Sequence, residues 1–553
     1  MQGRLKKQEK RDKLSIVTFR RRLKREFSGY NAQTFTKDLL AGITVAAVAL
    51  PLALAFGVSS GADAGAGLIT AIIAGLLIGG LSGASYQISG PTGAMSAILL
   101  GLSAQYGLQG VFVASCMSGV ILIIASILKA GKLVSFIPKS VMTGFTSGIA
   151  VIIAGGQIDN FFGTTSEGGN FIEKIASYFT LGFHINFSSL FFGMVVVVIM
   201  IIWPKKWQNY LPSSLVGIIV ALVLHMILPM EVTEVGAIPT TLFPEVRLTF
   251  SQIPWTNISS LLAPAFSIAA LGMIESLLCG LSAGNMKHEP IDADQEILAQ
   301  GIGNMLIPFF GGVPATAAIA RTSVAIKSGG QTRMVSIIHS LVLLAAMFLL
   351  APLMSKIPMP ALAGVLMVTA WRMNDWKEIN HIFAGRLKSS MINFCVTMAG
   401  TIIFDLTTAI IMGICASVII FVVNSSNLHV EVSDIDFDRL GYTADIHRHA
   451  VKIVYVSGPL FFASQGVLTK KISKHIECST AIILSIRGVS SIDESGAGEL
   501  KEIYEMCQDA DTKFVLCGVA QPVQKKIKRY EEKVSDHVAW DAIKAVEYIE
   551  KTY

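Results

Sequence analysis

From about residue 39 to residue 424 the chain alternates long apolar runs with short polar breaks, and beyond about residue 430 that pattern stops. A helix needs about 20 apolar residues to cross a hydrocarbon core. Runs of that kind recur at 39–57, 66–83, 91–106, 110–129, 138–157, 188–203 and 214–230, then at 261–282, 295–310, 315–328, 333–350, 359–372, 388–404 and 407–424. Two of them, 91–106 and 315–328, are short or dense in glycine. The pattern therefore predicts two blocks of seven spans. The tail shows short apolar runs such as "VKIVYVSG", "TAIILSIRG" and "TKFVLCGVA" between charged helical stretches, the signature of a soluble α/β domain.

An odd-numbered block repeated once must lie upside down relative to its copy, the design of many secondary transporters. The expected fold is thus a polytopic α-helical membrane protein of 14 spans arranged as a 7+7 inverted repeat, followed by a soluble α/β domain. A shift of 223 residues lays Pro91 of "SGPTGAMS" on Pro314 of "GGVPATAAIA". The same shift puts Pro51 and Leu52 beside Ile274 and Glu275. An even number of spans returns the chain to its starting side.

The breaks before spans three and ten carry the first chemical signal. A bilayer interior has no water for freed backbone groups, so an interruption there has to be buried in protein or line a wet cavity. Proline suits the first turn of a helix, so "SGPTGAMS" and "GVPATAAIA" read as helix N-termini set partway into the membrane. Each such end offers free N–H groups and about half a positive charge, and two facing ends make an anion site. Glycine and proline also serve packing alone in membrane helices; the matched pair is what favours a site.

Two ionisable residues lie where charge is expensive, Glu275 in span eight and Arg321 in span ten, and such groups are functional candidates. A lone carboxylate in apolar surroundings can carry a proton. Arg321 can pair with the anion, or the two can neutralise each other. His225 and His339 read as packing residues, Asp405 as the N-cap of the last span, and Asp159 and Glu173 as part of the segment after span five.

Composition agrees with the pattern: 52% of the 553 residues are hydrophobic, 15% are charged, and the mean hydropathy is +0.60. Eleven Lys or Arg lie in the first 25 residues, with "FRRRLKR" just upstream of span one. This basic arm, residues 1–37, belongs in the cytoplasm by the positive-inside tendency and can touch anionic lipid headgroups. The tail then shares that side. No cleavable signal peptide is expected, because no small-residue cleavage site follows the first apolar run. Seven scattered cysteines without C-x-x-C spacing indicate neither a disulfide framework nor a metal site. No nucleophile–base pair, metal cluster or Walker A loop argues for an enzyme, a cofactor or a nucleic-acid partner, so the energy for transport has to come from a gradient.

The stretches "DLLAGITVAAVALPLALAFGVSSG", "QISGPTGAMS", "QEILAQGIGNMLIPFFGGVPATAAIARTSVAIKSGGQTR" and "IPMPALAGVLMVTAW" resemble the sulfate permease (SulP) family of anion transporters. The likeness covers nearly the whole chain from Asp38. The tail resembles a STAS domain, with "GPLFFAS" as an early strand and turn and "IDESGAGEL" before a helix. In that resemblance Ser495 falls where stand-alone STAS antagonists are phosphorylated; a Ser-Gly at a helix start is otherwise an N-cap. The implied boundaries are a transport domain at 38–425 (repeats about 38–230 and 261–425), a linker at 426–445 and the STAS domain at 446–553.

The resemblance implies a core of spans one to four and eight to eleven moving against a gate of the rest, in a homodimer. The anion site it implies takes Pro91, Thr92 and Gly93 from one half-helix and Ala315, Thr316 and Arg321 from the other, with Glu275 alongside for coupling. Two departures matter. Leu52 stands where many eukaryotic members have Gln. Sodium-coupled bicarbonate carriers of this kind have an Asp and, one turn on, a Thr where this chain has Glu275 and Cys279. Sodium prefers oxygen ligands, so a proton is the expected coupling ion. The expected function is secondary-active transport of a small anion of the sulfate, bicarbonate or dicarboxylate class. The alternatives are a sodium-coupled bicarbonate symporter and a non-transporting anion sensor that signals through the STAS domain. A nucleobase–proton symporter is disfavoured, since "VPATAAIART" lacks a second carboxylate.

Overall fold

The computed structural model describes residues 15–132, 137–168, 171–204, 207, 211–228, 230–249, 251, 255–404, 406–435 and 451–551. Asp405 and the proposed start of the STAS domain at 446 lie outside them. The chain divides into two compact units, Met1–Ile414 and Cys415–Tyr553.

Helices occupy all fourteen predicted places. After a short helix α1 (Ser15–Glu26), the first repeat contains α2 (Ala32–Ser59), α3 (Ala64–Leu81), α4 (Gly93–Ile127), α5 (Lys139–Gly156), α6 (Ile158–Phe162), α7 (Phe171–Leu181), α8 (Phe187–Ile202) and α9 (Ser213–Ile227). Spans three and four are both within α4, joined at Gly107, whose φ of 68° breaks the helix in a region open to glycine. The second repeat contains α10 (Leu262–Lys287), α11 (Ala293–Leu306), α12 (Ile319–Lys327), α13 (Met334–Met354), α14 (Met359–Met373), α15 (Trp376–Ala384), α16 (Lys388–Ile403) and α17 (Leu406–Ser425). Seven helical segments among the described residues are long and apolar enough to cross a membrane, and three shorter apolar helices accompany them. Spans nine and ten fall short by length because α12 has only nine residues and α11 fourteen.

Short strands fill the gap before each half-helix. β1 (Ser89–Gly90) pairs antiparallel with β2 (Thr316–Ala317), in the register Ser89↔Ala317 and Gly90↔Thr316. Antiparallel entry from two repeats is what an inverted arrangement requires. The helices pack on small and branched residues, among them Leu68, Ile69, Ile72 and Val365, all fully buried, while Ile127, Ile202 and Leu349 point outward, as lipid-facing positions do.

The described part of the basic arm, from residue 15, is joined to the membrane unit. Its helix α1 ties to the polar ends of core spans: Glu26 accepts from Arg333 Nε (2.9 Å) and Nη2 (2.8 Å), and Arg22 pairs with Asp292. Arg333 Nη1 also donates to the Gly80 carbonyl at 2.8 Å. Asp38, wholly buried, accepts from Gln331 N (2.6 Å) and Thr332 Oγ1 (2.6 Å). The helix of span one starts at Ala32, before Asp38, and Asp38 ties its second turn to the residues just before α13.

The second unit carries a five-stranded sheet in the order β3 (His429–Asp434), β4 (Val451–Ser457), β5 (Ala481–Gly488), β6 (Lys513–Cys517) and β7 (Val538–Ala539). The β3–β4 pair is antiparallel and the rest are parallel. Helices α18 (Val467–Ile476), α19 (Glu494–Asp509), α20 (Gln521–Tyr530), α21 (Glu532–Ser535) and α22 (Ala542–Lys551) complete it. The run "AIILSI" of β5 is covered on both faces, as a central parallel strand should be. Strand β3 lies within the stretch expected to be a linker. "GPLFFAS" forms a turn and a 3-10 segment at Phe462–Ser464 rather than a strand. The cap of α19 is Asp493, whose Oδ1 accepts from Gly496 N at 2.9 Å, so Ser495 is the second helical residue and half-exposed rather than the N-cap.

Candidate anion site

Three side-chain oxygens meet between the half-helix ends. Glu275 Oε2 accepts from Thr316 Oγ1 at 2.6 Å and from Thr92 Oγ1 at 2.9 Å, and the two hydroxyls are 3.0 Å apart. Each threonine has one hydroxyl proton. If both point at an ionised Glu275, the threonine–threonine side of the triangle has none; if Glu275 is protonated, each of the three oxygens has one proton to donate and every side of the triangle is a hydrogen bond. The arrangement can therefore hold or release one proton without moving a heavy atom. Helix α10 supplies Glu275, and β1 and β2 aim the two threonines at it.

The two half-helix ends differ from the proline-led pattern expected of them. Pro91 sits one residue before the cap, and Thr92 is the N-cap of α4, its Oγ1 accepting from Met95 N at 3.4 Å. In the second repeat the helix starts at Ile319, five residues past Pro314, with Ala318 as a cap that makes no side-chain hydrogen bond. Gly93 and Ile319 are 226 positions apart and Ser89 and Thr316 227, so the prolines, 223 apart, are not equivalent. The strand residues inserted between Pro314 and α12 account for the difference. The first N–H groups of any helix lack partners inside it, and on α12 no cap takes their place.

Arg321, in the first turn of α12, is 1% exposed. Its Nη2 donates to the carbonyl oxygen of Pro91, and its Nη1 is buried with no partner among the described residues. Gly90 lies against the guanidinium: a Cβ there would come within 3.2 Å of Cζ and closer still to Nη1. Among the described residues Arg321 makes no ion pair with Glu275, so the alternative reading, neutralisation of one by the other in direct contact, is not what the structure shows. Ala315 also departs from expectation. Its N–H donates to Asn304 Oδ1 (2.7 Å) and its carbonyl accepts from Asn304 Nδ2 (2.9 Å), which leaves no backbone donor there for a ligand.

Thr92, Thr316 and Glu275 thus form one cluster, with Pro91 and Arg321 joined beside it. Gly93 begins α4 on the wall of a cavity of about 1230 Å³, along with Phe56, Ser96, Ile153, Gln157 and Lys174. Cys279, one turn on from Glu275 and on the same helix face, donates its Sγ hydrogen to Thr322 Oγ1 at 3.4 Å. His225 meets Glu234 at 2.9 Å, and His339 is fully buried, with neither ring nitrogen partnered among the described residues. Asn304, Gln300 and Ser276 were not among the expected site residues, yet all three hold the strands: Gln300 Nε2 donates to Ser89 Oγ (3.1 Å) and Ala317 N donates to Ser276 Oγ (3.1 Å). The spacing of Glu296, Gln300 and Asn304 in an apolar run was the available signal.

The sulfate permease family profile matches residues 35–400, and the STAS domain profile matches 442–537. The chain is 34% identical over 510 residues to the putative sulfate transporter YvdB of Bacillus subtilis, covering 90% of this chain and 94% of that one. It is 29% identical over 516 residues to the bicarbonate transporter BicA of a Picosynechococcus species, covering 89% and 90%. Its fold matches the overall structure of SLC26A9 with a TM-score of 0.80 at 18% identity, covering 95% of this chain and 92% of that one. With the sulfate permease profile over most of the chain and relatives named as transporters, the chain is an anion transporter rather than an enzyme and belongs to the sulfate permease family.

Proposed function

We propose that this chain is a secondary-active symporter that moves a small anion of the sulfate, bicarbonate or dicarboxylate class together with a proton. The observation that carries the reading is the Glu275–Thr92–Thr316 triangle beside the bare end of α12 and the buried Arg321 guanidinium. The anion rests between the ends of α4 and α12, drawn by their N–H groups and dipoles and by Arg321, with Pro91, Thr92, Gly93 and Thr316 shaping the space. Glu275 takes the proton. Core spans one to four and eight to eleven then move against the gate, exposing the site to each side in turn. The basic arm and the STAS domain face the cytoplasm, and the transporter works as a homodimer in contact with lipid. A site of backbone dipoles reads charge and size more than identity, which fits relatives named for both sulfate and bicarbonate.

Sodium is the second reading, and one observation favours it: three side-chain oxygens already converge at Glu275, the ligand type sodium takes. Against it, Cys279 offers only a thiol. The test is uptake of labelled sulfate, bicarbonate, chloride and C4-dicarboxylates into proteoliposomes under a proton gradient, a sodium gradient or neither. Accumulation of one anion driven by the proton gradient alone supports the first reading. Accumulation driven by sodium alone replaces it, and binding without accumulation makes the chain a sensor.

A further inference from the structure

Span nine carries a polar stripe inside an apolar helix. Glu296, Gln300 and Asn304 are spaced four apart on α11, hence on one face, and all three are wholly buried. Burying such groups is costly unless they are hydrogen-bonded, and their bonds go to the backbone and turn that carry the anion site. Glu296 Oε2 accepts from Ser82 Oγ (2.5 Å) and Gly83 N (3.1 Å), at the turn leading from span two toward β1. Gln300 Nε2 donates both to Glu296 Oε1 (3.0 Å) and to Ser89 Oγ (3.1 Å) in β1. Asn304 pairs with both main-chain groups of Ala315, just before β2, much as a neighbouring strand would.

Strands β1 and β2 share only two residue pairs, and so short a ladder does not fix its own register. A rigid helix that grips the chain at β1 and at the approach to β2 does. We propose that the polar face of α11 is the template that sets the spacing of β1 and β2, and through it the placement of Thr92 and Thr316 around Glu275. Gln300 and Asn304 are positioning residues for anion transport: they act through the strands and touch no anion. Glu296 anchors the same face to the turn after span two. The inference rests on the reading that these strand ends bound the anion site.

The test uses the full chain in proteoliposomes, with whichever of sulfate, bicarbonate or succinate it transports. Asn304→Leu removes both bonds to Ala315, and Asn304→Asp keeps only the acceptor for its N–H. The expected result is a KM raised by about tenfold or more in the Leu variant and by less in the Asp variant, with kcat little changed. In a Thr316→Val background, where the positioned hydroxyl is gone, Asn304→Leu adds little further rise in KM, because coupled residues are non-additive. Full additivity in that double variant, or an unchanged KM with lowered melting temperature, overturns the proposal in favour of a packing role. Should the wild type transport none of the three anions, the functional reading fails on its own. The template is then judged by cysteines at Ser89 and Ala317, read as joined peptides by mass spectrometry. Because Ser89→Cys already removes the hydroxyl that Gln300 binds, Asn304→Leu decides: joining lost with it supports the template, and joining unaffected by it overturns the template.

Discussion

Thr92 caps the first half-helix with its own hydroxyl, whereas Ala318 leaves the second one bare, and only the second carries an arginine in its first turn. The two ends occupy matching places in the two repeats and yet are built differently. Thr92 is bound three ways, to Met95 N, Thr316 and Glu275. The α12 end keeps its N–H groups open, with Ile319 46% exposed. Symmetry in the fold thus gives two helix ends; on the proposed function their different residues put the proton beside the capped end and make the bare end, with Arg321, the stronger anion side.

The largest expected effect breaks the anion side. Arg321→Ala should weaken anion affinity by about tenfold or more, given roughly 1.5–3 kcal/mol for a hydrogen bond to a charged group. Adding Glu275→Gln should not restore stability, because the two residues are not paired in contact. Gly90→Ala, whose Cβ would occupy the place of the guanidinium, should copy the affinity loss of Arg321→Ala. Titration calorimetry and melting curves on these variants decide; wild-type affinity in a stable Arg321→Ala protein removes the arginine from the site.

A smaller effect separates the two threonines. Thr92→Val and Thr316→Val each remove one hydroxyl from Glu275, so both should reduce coupled uptake. Only Thr92→Val should also lower thermal stability, by about 1 kcal/mol for the lost cap. Equal stability loss in both variants would mean that the cap is not what distinguishes the ends. The smallest effect concerns the second unit. Ending the chain after Ser426 removes a domain with its own cores, so the membrane unit should insert and melt nearly as before, with only its transport rate or assembly changed. A truncated protein that fails to insert would contradict this.

Much of this was legible in the residues. Fourteen apolar runs, two of them broken, and an isolated Glu275 are features of composition and length, and they carried over to helices, to breaks and to a buried carboxylate between the half-helix ends. The start of α12 was misread because Pro314 looks like a helix opener, while the chain spends Thr316–Ala317 on a strand first. A two-residue strand has no period to detect. Nor does any local pattern say that Arg321 reaches the carbonyl of Pro91, 230 residues earlier, or that Asn304 occupies both backbone groups of Ala315. Those contacts exist only once the repeats interleave. The polar face of α11 was readable from its four-residue spacing, but spacing alone names no partner.

The central claim is that Glu275 binds the proton that drives the anion, and it is tested most directly by comparing wild type and Glu275→Gln in proteoliposomes under an imposed proton gradient. Gln keeps the shape and an oxygen for Thr92 and Thr316 but does not titrate. The account predicts that the variant still exchanges labelled anion across the membrane yet no longer concentrates it. Accumulation by the variant at the wild-type rate would contradict the account.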